Sequence, residues 1–309
     1  MAIYLVTGGA GFIGSHLCDA LVGRGDTVRV LDDLSTGSRA NLPVGTMLIE
    51  ADVADPDAMR AALDGVDGAF HLAAIASVQR GVSDWLGTHR ANLTGTITLF
   101  DSVRGRGTPV PVVYASSAAV YGDCPTVPIP EDAERRPLSA YGADKYACEL
   151  QARVAGHVHG IAATGLRFFN VYGPRQDPHS PYSGVISIFC ERLVRGAPID
   201  IFGDGGQTRD FVYVADVVAA LLGAMRHPST DAPAFIVCTG TPTSVLDLAR
   251  TIADLTGTAP DIRHLPPRAG DIRDSTGVPD RARAAFGLGT PVSLREGLRN
   301  VLDWLAASR

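Results

Sequence analysis

Three side chains of this sequence could together move a proton. Tyr141 and Lys145 lie four residues apart near the start of a predicted helix, so both lie on the same helix face. Ser117 follows Ser116 at the end of an apolar, β-branched run that predicts a buried strand. A free tyrosine has a pKa of about 10, and an ammonium group one turn away favours its phenolate. The trio is therefore a candidate for general acid–base catalysis.

The position of the two serines strengthens this interpretation. A tyrosine and a lysine at this spacing occur on many helices for packing reasons alone, so the pattern by itself carries little weight. Ser116 and Ser117, however, end a predicted strand of a parallel sheet. Open parallel sheets bind their ligands at the carboxyl ends of their strands. A dinucleotide motif elsewhere in the chain would therefore favour the catalytic interpretation.

Such a motif lies near the start of the chain. Residues 7–14 read TGGAGFIG, between an apolar run at 3–6 and a helical pattern. Gly9, Gly11 and Gly14 match the G-x-G-x-x-G spacing, in which glycines let the backbone approach a pyrophosphate at a helix N-terminus. Strand, glycines and helix in this order predict a dinucleotide site.

Asp32 indicates which dinucleotide binds. It ends the next predicted strand and lies 18 residues after Gly14, close to the position of the carboxylate that holds the ribose. A carboxylate accepts a hydrogen bond from a free 2′-hydroxyl but repels a 2′-phosphate by about 4 kcal/mol per charge at 4 Å and an effective dielectric of 20. The sequence therefore predicts NAD rather than NADP, and Arg39 is interpreted as a solvated loop residue. Hydride transfer would be the chemistry of this cofactor, coupled to proton transfer by Tyr141.

Strands and helices alternate through the first half of the chain. The patterns predict strands at 3–6, 27–31, 47–50, 68–72, 110–115 and 161–167, with helices that include 55–63, 83–104 and 139–159. This order predicts an α/β fold with a doubly wound parallel sheet of the Rossmann type. Beyond Asn170 the predicted strands are short, which indicates a smaller C-terminal α/β lobe for the substrate. We expect the NAD-binding domain at 1–170, with a returning segment near 211–238, and the substrate lobe mainly at 171–309.

Composition argues against several other classes of protein. The 309 residues carry a formal net charge of −6, which argues against nucleic-acid binding. No apolar run reaches the length of a membrane span and no signal segment is recognisable, so we expect a cytoplasmic protein. The five cysteines are scattered, and the eight histidines lack the spacing of metal ligands. Neither a disulfide framework nor a metal site is expected.

Several motifs along nearly the whole chain carry a family resemblance. They are TGGAGFIG at 7–14, SSAAVYG at 116–122, YGADK at 141–145, FFNVYGPRQDP at 168–178, GDGGQTRDFVYVAD at 203–216 and PPRAGD at 266–271. Together they resemble the extended short-chain dehydrogenase/reductase family and, within it, the nucleotide-sugar 4-epimerases. The last three are much more specific than the glycines.

The resemblance implies roles for a larger set of residues. The implied catalytic trio is Ser117, Tyr141 and Lys145. The implied NAD contacts are Gly8, Gly11, Phe12, Ile13, Gly14, Asp32, Asp33, Asp52, Val53, Leu72, Ala73, Asn92, Tyr141, Lys145 and Phe169. The implied contacts to a UDP-sugar are Ser117, Asn170, Val185, Arg209, Arg268, Asp271 and Ser275. A homodimer that packs the helices near 83–104 and 139–159 is also implied.

The implied reaction is 4-epimerisation of a UDP-hexose through a 4-keto sugar that turns over while UDP stays bound. In this family the position of Ser275 helps to set the pocket volume, and a small residue there admits an N-acetyl group. Asp177 follows the P-R-Q triplet, where uronate epimerases tend to place a basic residue. The expected substrates are therefore UDP-GlcNAc/UDP-GalNAc, with UDP-Glc/UDP-Gal as a further pair. Ser187 departs from the proline that relatives often have.

Two other functions are weighed against this one. Nucleotide-sugar 4,6-dehydratases usually carry an Asp-Glu pair beside the catalytic Ser or Thr, where this chain has Ala118 and Ala119. Methyl groups cannot move protons, which argues against dehydration. A catalytically silent NAD-binding sensor is the other alternative, and the intact trio argues against it.

Overall fold

The computed structural model of the protein describes residues 1–76, 78–178, 184–267 and 272–307. Its strands are β1 (Ile3–Thr7), β2 (Thr27–Asp32), β3 (Met47–Glu50), β4 (Gly68–His71), β5 (Val112–Ser117), β6 (Ala163–Phe168), β7 (Asn170–Tyr172), β8 (Ile199–Phe202), β9 (Thr208–Tyr213), β10 (Ala234–Val237), β11 (Pro242–Ser244), β12 (Ile262–Leu265) and β13 (Asp274–Ser275).

The helices are α1 (Phe12–Gly23), α2 (Pro56–Leu63), α3 (Val78–Ser83), α4 (Trp85–His89), α5 (Gly95–Arg104), α6 (Ala140–His159), α7 (Val185–Val194), α8 (Val214–Met225), α9 (Val245–Thr256), α10 (Asp280–Phe286) and α11 (Leu294–Ala307). A π-helical turn, Arg90–Thr94, connects α4 to α5. Within the described ranges, no helix is both long enough and apolar enough to span a bilayer.

Seven parallel strands form the main sheet in the order β10-β6-β5-β4-β1-β2-β3. Apolar side chains cover both faces of this sheet. One core contains residues of α2, α5 and α6, and the other contains residues of α1, α8 and α10. Helices on both faces of a parallel sheet make a doubly wound α/β fold, so the predicted fold class is confirmed.

A smaller sheet surrounds β9. Strand β11 pairs antiparallel with β9, whereas β13 and β7 pair parallel with different parts of it. The fully buried carboxylate of Asp210 on β9 joins the two sheets, because it accepts hydrogen bonds from the turn that leaves β10. Thr239 donates through its N–H and Oγ at 2.8 and 2.7 Å, and the Gly240 N–H donates at 2.8 Å. The carboxyl edge of the main sheet and the smaller sheet are thereby tied together.

Local sequence explains the ends of the helix that follows β5. The Ser139 Oγ accepts the Gly142 N–H at 3.0 Å and caps the first turn of α6. Gly160 ends the helix in the left-handed conformation, with φ of 64°. The predicted helix at 139–159 is therefore confirmed almost to the residue, and Tyr141 lies in its first turn.

Several predicted boundaries differ from the structure. The expected single helix at 83–104 is divided into α4, the π-helical turn and α5, and α3 precedes it. The strand expected at 110–115 runs instead from Val112 to Ser117, because its last residues continue to pair with β6. The sequence patterns do not predict helix α10 or strands β7, β11 and β13. A domain boundary near residue 170 stays a prediction, and β10 of the main sheet comes from the later part of the chain.

Candidate active site

The glycine turn between β1 and α1 is closely packed against β4. Gly8 has φ of 70°, and a Cβ there would lie only 2.6 Å from the Ala73 nitrogen. A Cβ on Gly14 would collide with the carbonyl oxygen of Gly8. These close approaches require glycine and bring the turn next to Leu72 and Ala73, as a shared cofactor site requires.

Asp32 lies at the end of β2, directly beside the glycine turn. Its Oδ2 accepts the Ala10 N–H and its Oδ1 accepts the Leu34 N–H, both at 2.9 Å. Burial raises the pKa of the Asp32 carboxyl, and the two backbone donors oppose that shift. Each carboxylate oxygen has a further lone pair, so the group can still accept two ribose hydroxyls. The neighbouring Asp33 accepts hydrogen bonds from the Ser35 N–H and Oγ.

Two other predicted cofactor residues, Asp52 and Val53, follow the end of β3. Asp52 accepts the Ala54 N–H at 2.8 Å and the Arg90 Nε–H at 2.9 Å. Val53 packs against Gly95, where a Cβ would lie 2.6 Å from a Val53 methyl.

Asn92 lies in the π-helical turn, and its amide is engaged with the protein itself. The Asn92 Oδ1 accepts the Ile75 N–H at 2.8 Å, and its Nδ2 donates to the Ile75 carbonyl at 3.3 Å. The side chain is 1 % exposed. This bidentate pair fixes the loop after β4, and a contact of Asn92 with NAD stays a prediction.

The buried His71, to which the sequence analysis assigns no role, ends β4 directly before Leu72 and Ala73. Its Nδ1 lies 2.8 Å from the Thr7 Oγ1, and its Nε2 lies 3.0 Å from the Thr96 Oγ1. Thr96 donates to the Asn92 carbonyl, so its oxygen accepts from the histidine Nε2–H. Burial, together with the charge of Lys145, lowers the pKa of His71 to about 3. The neutral imidazole therefore links β1 and β4 to α5. In the sequence, the one sign of such a role is that a polar residue ends a buried strand.

The structure brings the predicted catalytic trio to one place. Lys145 is 3 % exposed, and its Nζ donates to the Ala115 carbonyl of β5 at 2.9 Å. The same Nζ lies 5.9 Å from the centre of the Tyr141 ring. Gly142 approaches the turn after Ser117 so closely that a Cβ would lie 2.6 Å from the Ala119 oxygen. The Ser117 Oγ accepts the Ala119 N–H at 3.1 Å, and the same hydroxyl can donate to a substrate oxygen.

The predicted substrate residues gather around β9. Ser275 of β13 is the register partner of Arg209, and Asn170 of β7 is the register partner of Phe211. Arg209 donates from Nη1 to the Thr208 carbonyl at 2.8 Å and to the Arg273 carbonyl at 3.4 Å. Asn170 is exposed, whereas Arg209 and Ser275 are half-buried.

The remaining predicted residues flank these groups. Phe169 is buried and packs so tightly on Gly277 that a Cβ there would lie 2.7 Å from its ring. The Phe12 ring lies against Gly173 in the loop after β7, and the adjacent Ile13 packs in the same cores as α8. Val185 is the first residue of α7. Arg268 and Asp271 lie outside the described residues.

This geometry joins the glycine turn, the Asp32 carboxylate and the predicted acid–base trio at one edge of the sheet. The NAD dependent epimerase/dehydratase family model matches residues 4–238. The chain belongs to this family. It is an NAD-dependent enzyme, and the predicted cofactor is confirmed. The close-packed glycine turn and the free lone pairs of the Asp32 oxygens fit the pyrophosphate and the ribose of NAD. Among the described residues, no three His, Cys, Asp or Glu side chains are grouped to hold a metal ion.

Similar proteins cover almost the entire chain. The UDP-glucose 4-epimerase of Mycolicibacterium smegmatis is 38 % identical over 97 % of both chains. The structure of a UDP-glucose 4-epimerase with UDP-glucose from Thermotoga maritima has 37 % identity and a TM-score of 0.95, with 99 % of both chains covered. A UDP-N-acetylglucosamine 4-epimerase from Methanobrevibacter ruminantium, in complex with UDP-N-acetylmuramic acid, has 33 % identity and a TM-score of 0.93 over 100 % of this chain and 99 % of that one.

Proposed function

We propose that this enzyme interconverts UDP-hexoses that differ in configuration at C4. The observation that carries the proposal is the placement of Ser117, Tyr141 and Lys145 at the carboxyl end of β5, with the glycine turn at the same edge of the sheet. Similarity to UDP-sugar 4-epimerases over nearly the full chain supports the same reaction.

In this proposal Tyr141 acts as the base for the 4-hydroxyl of the sugar. Lys145 stabilises the phenolate from one helical turn away, and Ser117 donates a hydrogen bond to the same sugar oxygen. NAD, when bound, would supply the acceptor and then the donor for the C4 hydride. The 4-keto sugar must therefore turn over while the nucleotide stays bound.

The substrate anchor of the proposal lies on the smaller sheet. Arg209, together with Arg268, would bind the pyrophosphate of UDP, because a guanidinium is permanently charged and pairs with two oxygens. Asn170, Val185 and Asp271 complete the proposed UDP-sugar contacts. A nucleotide held on β9 leaves the sugar free to present either face.

We also propose that N-acetylhexosamines are the preferred substrates. Ser275 is a small residue paired with Arg209, so the wall beside the proposed pyrophosphate site has no bulky side chain at this position. Asp177 is exposed and would repel a sugar carboxylate, which disfavours uronates. UDP-Glc and UDP-Gal form the second expected pair. One similar protein is named a UDP-glucose 4-epimerase and another a UDP-N-acetylglucosamine 4-epimerase.

Dehydration is disfavoured by the turn after β5. Ala118, Ala119 and Val120 form a short 3-10 helix directly after Ser117, and none of them carries a group that could transfer a proton. A 4,6-dehydratase would need an acid and a base at this place.

Incubation of the purified enzyme with each UDP-hexose, followed by NMR of the products, tests the function. We expect UDP-GlcNAc and UDP-GalNAc to approach a common equilibrium mixture, with slower conversion of UDP-Glc and UDP-Gal. Release of a 4-keto-6-deoxy sugar would favour the dehydratase. Bound NAD without conversion of any UDP-sugar would favour the sensor.

The proposed assembly is a homodimer formed by α4, α5 and α6. Leu150, Val154 and Val158 lie at four-residue intervals on α6 and are 43 %, 50 % and 60 % exposed. Trp85 and Leu86 of α4 are also exposed. An apolar stripe of this length on a surface helix indicates an interface, and a second copy of the chain would cover it with the same stripe.

A further inference from the structure

A buried ion pair lies directly behind the catalytic trio. Glu149 of α6 is 4 % exposed and Arg167 of β6 is 1 % exposed. The Arg167 Nε and Nη2 donate to the two Glu149 oxygens at 2.8 and 2.7 Å. A third donor, the Ser116 Oγ, reaches the Glu149 Oε1 at 2.7 Å. Ser116 and Arg167 are register partners on neighbouring strands, so both contact Glu149 from one side.

The remaining terminal nitrogen of Arg167, Nη1, also donates two hydrogen bonds. It donates to the Tyr121 Oη at 2.6 Å and to the Glu131 carbonyl at 2.7 Å. Well-packed apolar residues in place of a buried ion pair often leave a protein equally stable or more stable. The stability of the fold is therefore a poor explanation for two charges at this depth, and a requirement for exact placement of groups explains them better.

The cluster ties the catalytic helix to the catalytic strand. Glu149 lies four residues after Lys145 and eight after Tyr141 on α6, a rise of about 6 Å for each four residues. On β5, the Ala115 carbonyl accepts from Lys145 and Ser116 donates to Glu149. Ser117 is the next strand residue and points to the opposite face from Ser116. Two successive hydrogen bonds thus fix the height of α6 relative to the Ser117 hydroxyl.

We propose that Glu149, held by Arg167, is a positioning residue that sets the distance between Ser117 and the Tyr141–Lys145 pair through its bond to Ser116. The proposal rests on the function proposed for this trio. A shift of the strand end against the helix would misplace the two groups that contact the same sugar oxygen, and small misplacements of catalytic groups cost large factors in rate.

Ser116→Ala is the informative variant. It removes the bond between strand and helix but leaves the Arg167–Glu149 pair intact, whereas Glu149→Gln would leave the Arg167 charge buried without a counter-charge. Ser102→Ala is the matched control, because Ser102 is also a buried serine and its Oγ has no hydrogen-bond partner among the described residues. We expect kcat of Ser116→Ala to fall by about tenfold or more. KM for the UDP-sugar and bound NAD should stay close to those of the Ser102→Ala control, whereas Tm should fall by a few degrees because a buried bond to a charged group is lost.

A second readout does not depend on turnover. The phenolate absorbance of Tyr141 at neutral pH, measured in the NAD-bound enzyme with Tyr141→Phe as the blank, should decrease in Ser116→Ala. Wild-type kcat and phenolate absorbance in Ser116→Ala would overturn the proposal, and so would a kcat loss that Ser102→Ala shares. If the wild-type enzyme converts no UDP-sugar but Ser116→Ala still loses phenolate, the proposed function fails and the positioning role stands.

Discussion

At the scale of single residues, the proposed chemistry depends on the surroundings of Lys145. Its ammonium is almost excluded from water and is fixed by the Ala115 carbonyl, with the Tyr141 ring nearby. Attraction between charges is stronger in such surroundings than in bulk water. A charge held in this way is suited to stabilise a phenolate through the whole catalytic cycle.

Tyr141→Phe should remove the base and leave the packing of the ring unchanged. We expect kcat to fall by about 10²–10⁴-fold, because general base catalysis contributes factors of this size. UDP binding, measured by calorimetry, should stay within about twofold of wild type, since the nucleotide is proposed to bind at β9. Turnover near the wild-type rate would show that another group is the base.

Ser275→Tyr tests the sugar preference. The larger side chain beside Arg209 should exclude an N-acetyl group, at a cost of about 1–3 kcal/mol for a steric mismatch in a pocket. The expected result is a decrease of about tenfold or more in kcat/KM for UDP-GlcNAc, with a smaller decrease for UDP-Glc. Equal decreases for the two substrates would contradict a role for Ser275 in selection.

At the scale of secondary structure, His71 is the point where β1, β4 and α5 meet. Its two nitrogens bond to Thr7 and Thr96, and burial, together with the charge of Lys145, keeps the ring neutral. An unfolded chain would bind a proton at this histidine near pH 6.5, whereas the folded chain would bind one only near pH 3. The folded state therefore loses stability as the pH falls from about 6.5 towards 3.

This pH dependence can be measured by urea unfolding between pH 7 and pH 4. We expect the free energy of unfolding to fall with pH in the wild type, and to fall less steeply in His71→Gln. His157→Gln, which changes an exposed histidine of α6, should keep the wild-type slope. The same slope in all three proteins would rule out a contribution from His71.

The sequence is informative about elements and local motifs and much less so about distant contacts. Apolar runs and the Ser139 cap are local signals, and they predict β1 and α6 well. The π-helical turn around Asn92 has no such signal, because it depends on the Ile75 loop that its side chain holds. The contact between Gly142 and Ala119, like the pairing of Ser275 with Arg209, joins segments that only tertiary packing brings together.

At the scale of the whole molecule, the apolar stripe on α6 predicts the assembly. Val154→Glu places a charge in the middle of the stripe and should shift the protein from dimer to monomer in light scattering. Val44→Glu is the control, because Val44 is 98 % exposed and lies in the loop before β3. A monomeric wild-type enzyme, or a Val154→Glu variant that remains dimeric, would contradict the proposed interface.

The hydrogen bonds of the buried Asp210 carboxylate oppose any movement of β9 relative to the main sheet during turnover. Movement of β9 away from the main sheet would strip this buried carboxylate of the donors in the Thr239–Gly240 turn. An unsatisfied buried group costs about 1–3 kcal/mol, and a charged one costs more. In the proposed reaction we therefore expect the sugar to turn over while the two sheets keep their relative positions. Turnover should accordingly be insensitive to solvent viscosity, so that kcat in sucrose-thickened buffer equals kcat in water.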